Sequence, residues 1–128
     1  MPVGQGDKMG YVDGVILAVP VEQREAYRVA AEAIAALFIE CGATDVVDCW
    51  GDDVPEGVLT SYTMAVKRQD DEAVVFSWIR WPSRAVRDDG WKRAMADPRM
   101  AAMPEQLFDG TRMIFGGFDV IQSTSTGA

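Results

Sequence analysis

Apolar residues fall along this chain in two rhythms. Between residues 11 and 19 they crowd together around the β-branched Val12, Val15, Ile16 and Val19, and Pro20 closes the run. This β-branched density predicts a first strand over 11–19. Over 22–41 the spacing changes. Tyr27, Ala30, Ala31, Ile34, Leu37, Phe38 and Cys41 return every three or four residues and draw one apolar stripe, as an amphipathic helix requires. Glu22 and Glu25 in its first turn complement the helix dipole, and Gly42 suits the left-handed position that ends it.

Strand-like runs return at 45–51 and 73–81. Between them lie a turn rich in Asp, Pro and Gly at 52–57, a short piece predicted extended at 59–66, and a polar turn at 69–72. Ser83, after Pro82, is a good N-cap for a second helix reaching about residue 95. Gly90 inside it costs ~1 kcal/mol relative to alanine. Asp97 followed by Pro98 predicts a capped helical turn. Residues 111–121 predict the last strand, where Gly116 and Gly117 signal a bulge or a close backbone approach. The order is β-α-β-β-α-β: an α+β, ferredoxin-like plan with a four-stranded antiparallel sheet and two helices on one face.

The strand faces add a further expectation. A sheet covered on one side should alternate apolar and polar residues. Here Val15, Leu17 and Val19 oppose Val12, Ile16 and Ala18, and the third strand carries Val74, Val75, Phe76, Trp78, Ile79 and Trp81 on its two sides. The last strand has Met113, Phe115 and Ile121 against Ile114, Phe118 and Val120. Two helices cover one face only, and each large side chain left out forgoes ~1.5–3 kcal/mol of burial. A second copy laid face to face is the simplest cover, so the pattern predicts a homodimer with its sheets stacked into a barrel-like interior.

Length and composition narrow this further. The 128 residues fit one domain, expected over 11–122, with an unstructured leader at 1–10 and a flexible tail at 123–128. Twelve Lys and Arg against 20 Asp and Glu leave a net charge of −8, which disfavours nucleic acid and membrane surfaces as partners. No stretch approaches the ~20 apolar residues of a membrane span. Residues 1–10 lack the apolar centre of a signal peptide, so the expected location is cytoplasmic, with Cys41 and Cys49 reduced. There is no histidine, which removes Ser-His-Asp and Cys-His catalysis and His-based zinc sites. Asp52, Asp53 and Glu56 miss the spacing of a calcium loop, and Cys49 lacks a basic neighbour to make it a thiolate. No cofactor and no metal are expected.

Several segments together are distinctive: Tyr-Val-Asp-Gly at 11–14 leading to Ala-Val-Pro at 18–20, Cys-Trp-Gly-Asp-Asp-Val-Pro-Glu-Gly at 49–57, Val-Val-Phe-Ser-Trp at 74–78, Asp-Pro-Arg-Met at 97–100, and Phe-Asp-Gly-Thr-Arg-Met-Ile-Phe-Gly-Gly-Phe at 108–118. They resemble the YbaA-like family of small uncharacterised bacterial proteins, over nearly all the chain but leader and tail. The resemblance implies the dimeric α/β-barrel fold and a homodimer. Elsewhere in that superfamily are cofactor-independent monooxygenases, haem-dependent enzymes, and small-molecule isomerases or decarboxylases, among which fold cannot choose.

Candidate residues follow from chemistry that departs from the pattern. Asp13 interrupts an apolar strand; in the cleft between sheet and helices it would be an acid or base, and at a strand end it would pair with an arginine or be capped by backbone N–H groups. Arg80, Arg84, Arg87, Arg99 and Arg112 carry most of the positive charge of the C-terminal half. Of these, Arg80, Arg99 and Arg112 are candidates to hold a ligand carboxylate, against structural pairing with nearby aspartates. Trp50 and Trp78 are candidate pocket walls, against service in core or dimer interface with Trp81 and Trp91. Three readings result. The first is a homodimer binding a small molecule in the cleft. The second is a cofactor-independent monooxygenase-like or isomerase-like enzyme on a small hydrophobic substrate, with Asp13 and an arginine such as Arg80 polarising it. The third, an RNA-recognition module, shares the element order but lacks the basic surface.

Overall fold

The computed structural model describes residues 10–127, so all of the expected leader except Gly10, and the last residue of the tail, lie outside the described residues. Strand β1 spans Tyr11–Pro20, helix α1 Arg24–Glu40 and strand β2 Asp45–Trp50. A one-turn helix α2 follows at Tyr62–Ala65, then β3 at Glu72–Trp81, α3 at Arg84–Met95 and β4 at Ile114–Asp119. The strands form one antiparallel sheet in the order β2-β3-β1-β4, the expected ferredoxin-like arrangement. Among the described residues no helix is long and apolar enough to cross a membrane.

Register decides which side chains meet the helices. Tyr11 pairs with Trp81, Asp13 with Ile79 and Val15 with Ser77, and on the other side Asp13 faces Gly117 and Val15 faces Phe115. These share the covered face. Tyr11, Ile79 and Trp81 pack with Leu37 and Phe38 of α1 and Ala94 of α3. Leu17, Val19 and Val75 pack with Tyr27, Ala30 and Ala31 of α1. The alternate positions form the opposite face. One end of it is closed by Val66, which is fully buried with Ala18 and Val74. The rest carries Phe76, Ile114 and Phe118 in the open, Phe118 at 61% exposure.

Four local readings are corrected or resolved. The first helix begins with a separate 3-10 turn at Val21–Gln23 that follows the extended Pro20 directly, and α1 proper starts at Arg24. Gly42, at φ 115°, takes the left-handed position expected of it. The piece expected to be extended at 59–66 instead contains α2, since the Ser61 hydroxyl accepts from the Met64 N–H at 3.0 Å and nucleates a turn. The last strand is shorter than 111–121. Its start is a 3-10 turn at Gly110–Arg112, capped where the Asp109 carboxylate accepts from the Thr111 N–H at 2.9 Å. Pairing through Gly116 and Gly117 is continuous, so there is no bulge. The close approach is real: a Cβ at Gly117 would strike the Tyr11 ring and lie 2.8 Å from Arg87 Nη2.

Ser83 caps α3 as expected, accepting from the Val86 N–H at 3.2 Å. Gly90 has a packing reason. It lies against the fully buried Trp81, and a Cβ there would be 2.7 Å from both Trp81 Cη2 and the Cys41 carbonyl oxygen.

Candidate functional site

Asp13 occupies a covered-face position in the middle of the sheet and is only 4% exposed. A carboxylate there must be matched, because burying an unpaired charge costs far more than one domain's net stability allows. The match comes from α3 and from the end of β3. The Ser83 cap fixes the helix register, which turns Arg87 and Trp91, one turn apart, toward β1. Asp13 Oδ1 accepts from Arg87 Nη2 at 2.7 Å and Nε at 3.0 Å. Its Oδ2 accepts from the indole Nε1 of Trp91 at 2.8 Å and of Trp81 at 2.9 Å.

The rest of the network holds Arg87 from its other sides. Its guanidinium lies over the Tyr11 ring at 5.2 Å, and Nη1 donates to Asp88 at 2.9 Å. Hydrogen bonding to Asp13 holds the Arg87 guanidinium protonated well beyond its usual range, and burial opposes this only in part. Both alternatives for Asp13 therefore meet in one residue: it lies in the cleft and is paired with an arginine. Every neighbour is a donor. The acceptor positions of the carboxylate are taken, which suits a fixed polar floor better than a group that shuttles protons.

Beside this floor is a cavity of about 370 Å³ lined by Asp13, Val15, Arg87, Trp91, Met113 and Phe115. Its volume is at the small end of ligand pockets, and its walls are mostly apolar. Phe115, 71% exposed, stands at the mouth. Among the described residues no cluster of Cys, Asp and Glu is arranged to hold a metal ion.

Asp13 alone of the six candidates lines this cavity. Trp50 is on the covered face near the opposite edge, with the Arg24 guanidinium 5.4 Å from its ring. Trp78 and Arg80 are on the opposite face of the sheet, Trp78 tilted against Phe76 at 5.7 Å and the Arg80 guanidinium beside Gly10. Arg99 ties the turn after α3 to α1, gripping Glu40 with two hydrogen bonds of 2.7 and 3.0 Å and also Asp97 at 2.9 Å. Arg112 clamps Glu72 with bonds of 2.8 and 2.7 Å and donates to the Lys67 carbonyl. These grips hold the carboxyls of Glu72, Glu40 and Asp97 below their ordinary range.

The residues that meet Asp13, namely Arg87, Trp91 and Trp81, were present in the sequence as members of larger groups. A signal did exist for two of them. Counting from the Ser83 cap places Arg87 and Trp91 on one stripe of the helix, four residues apart. Met113 and Phe115 flank the cavity because β4 pairs with β1 directly at Val15 and Ile16.

Residues 10–110 match the family described as "Protein of unknown function (DUF1428)". The chain is 51% identical over 114 residues to the uncharacterized protein YbaA of Escherichia coli strain K12, covering 88% of this chain and 97% of that protein. YbaA of Shigella flexneri matches to the same extent. Among solved structures, a point mutant of SnoaB, a cofactor-independent oxygenase from Streptomyces nogalater, superposes with a TM-score of 0.52 at 17% identity, covering 89% of this chain and 95% of that one. Rv0793 from Mycobacterium tuberculosis gives 0.50 at 15% identity, covering 91% and 99%. At these identities the likeness speaks to the fold alone.

Proposed function

The chain belongs to the DUF1428 family, and we propose that it is a homodimer that holds a small, uncharged, largely apolar molecule in the cavity beside Asp13. The observation that carries this reading is the pairing of an apolar cavity with a polar floor already neutralised inside the protein. Arg87 and Asp13 cancel each other, and the indole N–H groups of Trp81 and Trp91 are spent on the carboxylate. A ligand entering finds apolar walls and no unmatched charge, so hydrophobic burial drives its binding and shape selects it.

The homodimer rests on the opposite face. Phe76, Ile114 and Phe118 present large apolar surface beside Trp78, and self-association through this face would bury it. A stable interface of this kind buries roughly 1,200–2,000 Å² in total. The expected setting is the cytoplasm, where Cys41 and Cys49 remain thiols.

A Val15→Trp variant tests the cavity reading by filling it. Small molecules extracted from natively purified protein and weighed by mass spectrometry should include a neutral species that the variant lacks. The reading fails if nothing co-purifies and an apolar fluorescent naphthalene probe binds wild type and variant alike.

A second reading, oxygenation without a cofactor, is supported by the fold shared with SnoaB. An apolar cavity suits such a substrate, but the locked Asp13 offers no free acceptor to take its proton. Substrate-dependent oxygen uptake by the purified protein would favour this reading over binding alone.

A further inference from the structure

A second cleft lies between the start of α1 and the end of β2, and shares no lining residue with the Asp13 cavity. It measures about 210 Å³, and its walls include Arg24, Tyr27, Asp48, Trp50 and Val75. Most arginines of this acidic chain grip a carboxylate of their own chain; Arg28, Arg87, Arg99 and Arg112 all do so at 2.7 Å. Arg24 does not. Among the described residues its close partner is the Trp50 ring, at 5.4 Å. Stacking on a ring uses the flat face of a guanidinium and leaves its N–H donors unspent.

Across the same cleft is a carboxylate that also stops short of an ion pair. Asp48 Oδ1 accepts from the Ser77 hydroxyl at 2.6 Å, and among the described residues no salt bridge joins Asp48 to Arg24 or Arg28. The buried Tyr27 hydroxyl lines the same cleft, and burial together with the Asp48 charge makes it harder to ionise. Arg28 also lines the cleft but is paired with Glu25, so Arg24 on Trp50 and Asp48 on Ser77 are the opposite charges that face this small space with no ion pair between them. Two such groups would be drawn together if nothing restrained them. Held apart, they fit a ligand that carries both charges.

We infer that this cleft binds a small zwitterion, an amino acid or ω-amino acid, with its carboxylate on Arg24 and its ammonium on Asp48. A guanidinium takes a carboxylate through paired N–H donors, and the carboxylate's second oxygen is available to an ammonium. The volume, below that of drug-sized pockets, admits only a short chain between the two charges. This assignment is independent of the Asp13 cavity and of the dimer.

The test is an NMR titration read on the Trp50 indole N–H, using glycine through 6-aminohexanoate, with butyrate and butylamine as single-charge controls. One chain length should give saturable shifts with a dissociation constant of about a millimolar, and both controls should bind at least about tenfold more weakly. Arg24→Gln and Asp48→Asn, at exposed positions where folding survives, should each bring the zwitterion down to the level of the controls. The assignment is overturned if no member of the series saturates, if butyrate binds as well as the amino acid, or if neither variant weakens binding.

Discussion

Replacing Asp13 by asparagine keeps the side chain's shape and removes its charge, in a site where every neighbour is a donor. The amide can be placed in two ways. With its oxygen toward Trp81 and Trp91 it still accepts from both indoles, but its NH₂ then faces Arg87 Nε and Nη2, donor against cation. With its oxygen toward Arg87, the NH₂ faces two indole N–H groups, one belonging to the fully buried Trp81. The first is cheaper, because the Arg87 side chain is 22% exposed and can turn to water. What is lost is then the buried ion pair, which costs about 3–5 kcal/mol when one partner is removed. Arg87's partial exposure sets the expectation near the lower end, about 3 kcal/mol. Urea unfolding followed by circular dichroism measures it, with an unchanged slope showing that the denatured state is the same. Arg87→Met should cost a similar amount, since it strands the carboxylate on two indole donors. The double variant should then lose clearly less than the sum, with a coupling of about 2 kcal/mol. Strict additivity, or a loss under about 1 kcal/mol for Asp13→Asn, would refute the view that this is one closed network.

Three further outcomes follow from the packing. Gly90→Ala should destabilise by about 1–3 kcal/mol despite better helix propensity, because the new methyl meets Trp81 and the Cys41 carbonyl; thermal melts of equal or higher midpoint would contradict this. Glu72 has its folded pKa below the ordinary 4.5, chiefly through its hydrogen bonds to Arg112, so it stabilises the fold above that pH and the contribution disappears as pH falls through the folded value. Arg112→Gln should therefore flatten the acid side of a stability-against-pH curve, and an unchanged curve would remove Glu72 from the account. Phe118→Glu on the open sheet face should give monomers in sedimentation equilibrium at micromolar concentration while wild type sediments as a dimer; a folded 14.0 kDa wild-type species would sink the dimer.

The parts of the fold that were readable were those set by chain-local rhythm. The stripe from Tyr27 to Phe38 is buried in α1 except for the half-buried Ile34, and odd and even positions of β1 do divide between two apolar surroundings. What failed was decided by contacts between distant segments. Residues 110–112 carry strand-like neighbours, yet Arg112 is pulled into a turn by Glu72 and Asp109. Gly90 looked like a weak point of a helix because propensity knows nothing of Trp81, 9 positions earlier in the chain. Asp13 was visible as a polar break in an apolar strand. Its partner was not, because Arg80, Arg84 and Arg87 are all remote from it in sequence and close to one another, and only the docking of α3 on β1 selects Arg87. The family was legible from whole segments, whose match spans most of the chain.

The two clefts divide the labour of recognition according to how charge is handled in each. The surface, at −8, repels anions at long range and lowers their local concentration, so neither cleft is placed to compete for a free dianion such as phosphate. In the cavity beside Asp13 the positive and negative groups are in contact, their fields cancel over a few ångströms, and selection passes to volume and apolar fit. In the cleft beside Trp50 the same two kinds of charge are restrained from meeting, and the field between them remains to orient a dipolar guest. Salt separates the two cases. Raising ionic strength should weaken binding at Arg24 and Asp48, where the charges are open to solvent, and leave binding beside Asp13 unchanged or slightly stronger. If both sites responded to salt alike, the contrast between a closed and an open charge pair would not be what distinguishes them.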